Sequence, residues 1–310
     1  KFGEDNFRKV GMAWIWGKIH TRFASRGKGF AREVLGYPIG SFGEIFDVLG
    51  SKIEEFGGRV CTSTTVTRVE IQSDRATGLF LKHTPATWIS PAPTGFSQGS
   101  DIGTNNDQKG ETESSYQSFD AIISTTPSYE FAKLVPGFSK GYLSKLNEVD
   151  YLAAVLLILV LKHPLSNVYW LNVADRSIPF VGVIEQTNLV NSEKYGGDHV
   201  VYISNYVSES DRLYRLDHQD LLEEYLPHLR KLNPEFDISW VLTSYHHKVK
   251  AAQPIIGVNH SSHIPDHTTP FKGLYLANTT QIYPEDRGTN YSVRIGKIAA
   301  DLAMENFSSV

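Results

Sequence analysis

The chain has 310 residues, 41% of them hydrophobic, enough to bury one large core or two ordinary ones. Its formal net charge of -4 leaves no cationic excess to neutralise a phosphate backbone, which argues against a nucleic-acid partner. The longest apolar run, Tyr151 to Leu161, is far shorter than the roughly 20 residues a membrane-spanning helix needs, so no transmembrane segment is expected. A lone cysteine, Cys61, permits no internal disulfide; a cytoplasmic compartment and a buried, inert thiol are the expectation.

Taken in chain order, residues 2–25 carry a helical pattern with Val10, Trp14, Ile15 and Ile19 on one side. A turn at Pro38 and Gly40 precedes a second predicted helix with Phe42, Ile45, Phe46, Leu49 and Ile53 on one face. Gly57 and Gly58 stop it, and an alternating strand runs on to Ile71. From 84 to 117 Ser, Thr, Gly, Pro and Asn dominate. A mobile surface insertion is predicted there, because so few apolar groups cannot offset the entropy of ordering. A short buried strand, Ala121 to Ser124, then leads through a turn at Thr125 to Pro127 into a helix.

The middle of the chain, from Tyr151 to Tyr206, is rich in apolar strands, followed by an amphipathic helix bearing Leu221, Leu222, Tyr225, Leu226 and Leu229. Trp240 to Ile255 reads as a return toward the first region. The C-terminal part is a strand, an acidic turn and a helix starting near Thr289. Its small residues Ser292, Gly296, Ala299 or Ala300, and Ala303 share one stripe that a neighbour is expected to approach closely. Gly288, Thr289 and Asn290 open that helix. Its unpaired N–H groups and partial positive charge suit an electron-rich ligand atom.

Four separated pieces, in matching order, resemble the FAD-dependent oxidoreductases of the amine oxidase and protoporphyrinogen oxidase type, relatives of UDP-galactopyranose mutase. They are "GYPIGSFGEIFDVL", "GGRVCTSTTVTRVEI", "FDAIISTTP" and "GLYLANTTQIYPEDRGTNYSVRIGKIAADL". The resemblance implies an α/β (α+β) architecture: an incomplete FAD-binding Rossmann-like lobe and a substrate lobe with a mixed or antiparallel sheet. The first lobe would comprise residues 36–136 and 268–310, with the insertion inside it. The substrate lobe would comprise 137–267, with 1–35 as a helical segment of it.

Carried over residue by residue, the resemblance implies that Val66 offers backbone groups to the adenine of FAD and that Thr125 lies beside the nucleotide. Asn278 and Thr279 stand where many members have Gly-Asp, a departure for which Asp286 or Glu285 is the candidate compensation. Gly288, Thr289 and Asn290 match the helix start that faces the pyrimidine edge of the flavin. The family's G-x-G-x-x-G turn is absent from these residues, and Ser41 replaces the second glycine of its Gly-Gly pair. The resemblance therefore implies a preceding lobe of the same polypeptide that completes the FAD site, with a small-molecule substrate.

Other chemistries are weakly marked. His260, His263 and His267 lie in a Pro-containing loop with no cysteine nearby, so no metal site is expected, and no G-x-S-x-G elbow points to a hydrolase. Within the flavin reading, hydride transfer from an organic substrate competes with non-redox mutase chemistry. A non-catalytic fragment or interaction module is the alternative from another class.

Overall fold

The computed structural model describes residues 8–24, 36–83 and 114–307. In chain order they form helices α1 (Met12–Ala24) and α2 (Phe42–Glu55) and strands β1 (Thr64–Gln72), β2 (Arg75–His83), β3 (Ser114–Ser118) and β4 (Ile122–Ser124). Helices α3 (Ser128–Leu134) and α4 (Lys140–Leu146) follow, then strands β5 (Tyr151–Leu161), β6 (Trp170–Asn172), β7 (Gly182–Glu185) and β8 (His199–Val207). The chain closes with α5 (Arg212–Arg215), α6 (His218–Leu229), β9 (Val241–Pro254), β10 (Leu274–Leu276) and α7 (Thr289–Phe307). This is the mixed α/β class expected from the sequence. Among the described residues no helix is long and apolar enough to cross a membrane.

The described residues fall into two compact units, one of 8–10, 36–39 and 150–258, the other of 11–24, 40–83, 114–149 and 259–307. The first is built on a five-stranded sheet of order β6-β7-β8-β5-β9, antiparallel throughout. On its inner face Val155, Leu157, Leu159 and Leu161 pack with Val183, Val201 and Ile203 under Leu221, Tyr225 and Leu229 of α6. Asp217 caps α6 by accepting a hydrogen bond from Asp220 N at 2.9 Å. The segment from Trp240 forms the last strand of this unit. Val241–Pro254 lies along β5 as an edge strand, because its backbone groups find a ladder there.

The second unit holds a meander β1-β2-β3 and a two-stranded parallel sheet of β4 and β10. Ser73 and Asp74, at φ 46° and 67°, make the two-residue turn between β1 and β2, whose left-handed backbone matches strand twist. Val69, Ala76, Ile122, Phe131, Val135, Leu146, Leu274 and Leu276 share this unit's core. Strand β1, strand β4 and the C-terminal strand therefore meet in one apolar cluster.

Several expectations are corrected. Residues 114–117 belong to β3, paired with β2, with the rings of Phe80 and Tyr116 in tilted contact at 5.3 Å between centroids. A ladder and one aromatic pair order a segment whose composition alone would not. Residues 84–113 lie outside the described residues. Cys61 is exposed and precedes β1, since Ser63 at φ 53° breaks the extended chain before Thr64. Helix α1 begins at Met12, and its buried face is Trp14 and Gly17, with Ile19 exposed; Val10 instead bridges to Gly257. In α7 the buried positions are Ile295, Ala299 and Ala303, four residues apart, while Ser292 and Gly296 face outward.

Candidate functional site

The C-terminal ends of parallel strands are where open α/β sheets hold ligands, and three predicted positions meet there. Leu276 pairs with Ser124, and Ala277 N donates to Ser124 O at 2.9 Å, so Thr125 emerges beside Asn278 and Thr279. Thr125 is exposed and Thr279 half-buried. Asn278 is 5% exposed, and its side chain is engaged by the protein itself. Nδ2 donates to Thr126 O at 2.9 Å and to Ser128 Oγ at 3.1 Å, while Oδ1 accepts from Thr280 N at 3.1 Å and Thr280 Oγ1 at 2.6 Å. Gln281 closes the loop by accepting from Asn278 N and donating to Leu276 O.

This knot includes residues the sequence reading missed: Ser128 and Thr280, both buried, and His260, whose Nε2 donates to Thr280 O at 3.0 Å. Burial holds the His260 imidazole below its usual value. Two short polar runs, "STTPS" and "NTTQ", each at the end of an apolar strand, were the signal that could have found it. The three loop histidines take different partners: His260 the Thr280 carbonyl, His263 the Glu148 carboxylate, His267 the Leu276 carbonyl.

Farther along, the candidate carboxylates are already paired. Asp286 lies 2.9 Å from Lys18 of α1, and Glu285 lies 3.3 Å from Arg294. Gly288 O accepts from Tyr291 N and Ser292 N, both at 3.0 Å, so the amides of Thr289 and Asn290 precede the first helical hydrogen bond and face outward at exposed positions. A side chain at Gly288 would meet Asn290 Oδ1 at 2.8 Å. Val66 sits at a bulge in β1, opposite Leu81, three residues before the core residue Val69. The unit thus joins Thr125, Asn278 and Thr279 directly. Asp286, Gly288, Thr289 and Asn290 follow on the same segment, and Val66 stands on the neighbouring meander.

The other unit carries a second feature. Register pairing aligns Trp170, Ile184, Tyr202, Ile158 and Tyr245 in one row across all five strands, on the face opposite α6. Beside it the next row, Asn172, Gly182, Ser204 and Leu156, is low at Gly182 and Ser204. Burial pushes the Tyr202 phenol up, and the neighbouring phenols of Tyr195, Tyr37 and Tyr169 push it further. Strand β5 is apolar at every position, buried on the α6 side and half-buried on the other.

No family model matches the chain, and no curated protein matches it. Solved structures do share its fold. An oxidoreductase from Methanosarcina mazei is 20% identical, with a TM-score of 0.53 over 78% of this chain and 49% of that one. A candidate protoporphyrinogen oxidase from Exiguobacterium sp. 255-15 is 13% identical, with a TM-score of 0.58 over 84% of this chain and 51% of that one. Reduced UDP-galactopyranose mutase is 14% identical, with a TM-score of 0.51 over 75% of this chain and 45% of that one. The chain spans about half the length of these structures, and what it shares with them is a mixed α/β fold.

Proposed function

We propose that the chain belongs to an FAD-dependent oxidoreductase that transfers a hydride from a small organic substrate to flavin. A further N-terminal lobe of the same polypeptide would complete the cofactor site. The observation that carries this reading is the convergence of Thr125, Asn278 and Thr279 at the C-terminal edge of β4 and β10, in the unit whose α7 presents its N-terminus. FAD, when bound, supplies the hydride acceptor. Gly288, Thr289 and Asn290 would lie at its pyrimidine edge, where a helix start stabilises negative charge by about 0.3–1 kcal/mol. Thr125 and Thr279 would direct hydroxyl groups toward its polar linker, and the bulge at Val66 would offer backbone groups to the adenine. Asp286 would act through its pair with Lys18, holding the turn in place. In the other unit, taken by itself, the row of Trp170, Tyr202 and Tyr245 presents a surface that suits a flat, apolar ring.

The test is the visible spectrum. A longer polypeptide that includes this chain is expected to purify with noncovalent flavin absorbance, and the 310-residue chain with little or none. A colourless longer polypeptide overturns the reading. Gly288→Val in that polypeptide should lower flavin content, because a β-branched side chain would crowd the approach to the helix start. Net oxidation of substrate under turnover separates hydride transfer from mutase chemistry, which leaves substrate and product at one oxidation level.

A further inference from the structure

The five-stranded unit holds a cavity of about 650 Å³ beside α6, between that helix and the segment 236–241. The volume is that of a small-molecule site. It lies on the helix side of the sheet, whereas the row of Trp170, Tyr202 and Tyr245 lies on the opposite face. Leu222, Leu226, Phe236, Ile238 and Val241 give it apolar walls. Leu221, Tyr225 and Leu229 of the same helix are spent on the core, so α6 is apolar on two sides and only one of them is covered by the sheet. Ile238 is left 66% exposed at the mouth.

The polar groups that join these walls are chiefly acceptors. Glu223 takes a hydrogen bond of 2.9 Å from Gln219 Nε2, a neutral donor, and no cation pairs with it among the described residues. Arg230, the one cation among the described lining residues, is turned to the protein: Nε donates to Phe236 O at 3.0 Å and Nη2 to Asp237 Oδ2 at 3.1 Å. Four residues beyond Glu223 stands Pro227, inside the helix and also in the cavity wall. Proline has no N–H, so the Glu223 carbonyl loses the amide that a helix ordinarily supplies to it. One lining residue therefore carries a carboxylate without a cation and a carbonyl without its helical donor.

We infer that this cavity is a binding site for a small organic cation, a primary amine on an apolar body. The body packs on Leu222, Leu226 and Phe236, and the ammonium, with three N–H donors, serves the acceptors of Glu223. A carboxylate ligand would set like charge against Glu223, and a purely apolar one would leave that side chain unserved. The site belongs to the five-stranded unit alone, so it stands whether or not the flavin reading does.

The experiment titrates octylamine, octanol and octanoate, which share one apolar body and differ in the head group, into the 310-residue chain with its Leu, Ile and Val methyls labelled for NMR. The amine is expected to shift the methyls of Leu222, Leu226, Ile238 and Val241 and to bind roughly fivefold or more tightly than the alcohol, with the carboxylate weakest. Glu223→Gln, which removes the charge and keeps the shape at an exposed position, should erase that advantage and leave the alcohol's affinity unchanged. Pro227→Ala returns an amide to the Glu223 carbonyl and should weaken the amine by roughly threefold. An amine no tighter than the alcohol, or an amine affinity that neither substitution lowers, overturns the inference. So do shifts confined to other methyls, and the absence of any shift at millimolar probe. Shifts of these four residues that appear without probe as protein concentration rises overturn it too, since they assign the cavity to a second copy of the chain.

Discussion

At the scale of single residues, the amide of Asn278 is dictated by the partners that surround it. A carboxylate in its place could still accept from Thr280 N and Oγ1, but its other oxygen would face the Thr126 carbonyl, which only accepts. The amide is the group that satisfies both sides. Asn278→Ala is expected to lower stability by about 1–3 kcal/mol, because Thr280 N and Ser128 Oγ lose a buried partner. Asn278→Asp should also destabilise, and denaturant midpoints of the two variants check both. The polar character of this loop was legible in the sequence. Its inward turn was not, since that depends on Ser128, 150 residues away along the chain.

At the scale of elements, α1 is positioned by one close approach. A side chain at Gly17 would meet Pro284 O at 2.6 Å, and Lys18 reaches both Asp286 and the ring of Trp14 on the same side. Gly17→Ala must push the helix from the loop that leads to the candidate site, at a cost of about 1–3 kcal/mol. Gly50→Ala in α2, where nothing lies within 4 Å, should instead stabilise by about 0.5–1 kcal/mol through helix propensity. Opposite shifts of the thermal midpoint are the expected result, and shifts of the same sign would count against this packing. The helical period of α2 was plain from Phe42 to Ile53. That period says which face is apolar and nothing about what covers it, so the bareness of Ile45 and Leu49 could be seen only in three dimensions. Strand β3 was hidden for the opposite reason, because its order comes from pairing with β2 rather than from its own composition.

At the scale of the whole molecule, strands β5 and β8 were readable because apolar residues mark a buried sheet, and β4 and the C-terminal strand were read as short strands; their parallel pairing was not, since three-residue strands carry no periodic signal of a partner. In the five-stranded unit, acid should act through one partly buried imidazole. His246 of β9 is lowered from 6.5 to about 4, first by burial, then by Lys248, His218 and His247, with Asp217 opposing. The folded unit therefore favours the neutral ring. The unfolded chain binds more protons between these values, so this contribution is fully present above about 6.5 and is lost as pH falls toward about 4. Melting followed across that range should show the five-stranded unit losing stability on acidification, with His246→Gln flattening the slope; an unchanged slope would contradict it. Strand β9 has one more consequence. It is a 14-residue edge, the kind of ladder that recruits other molecules into fibrils, yet exposed Lys248 and Lys250 stand along it beside His247. Two such edges brought together would set like charges against each other, so the longest hydrogen-bonding edge of this sheet resists polymerisation.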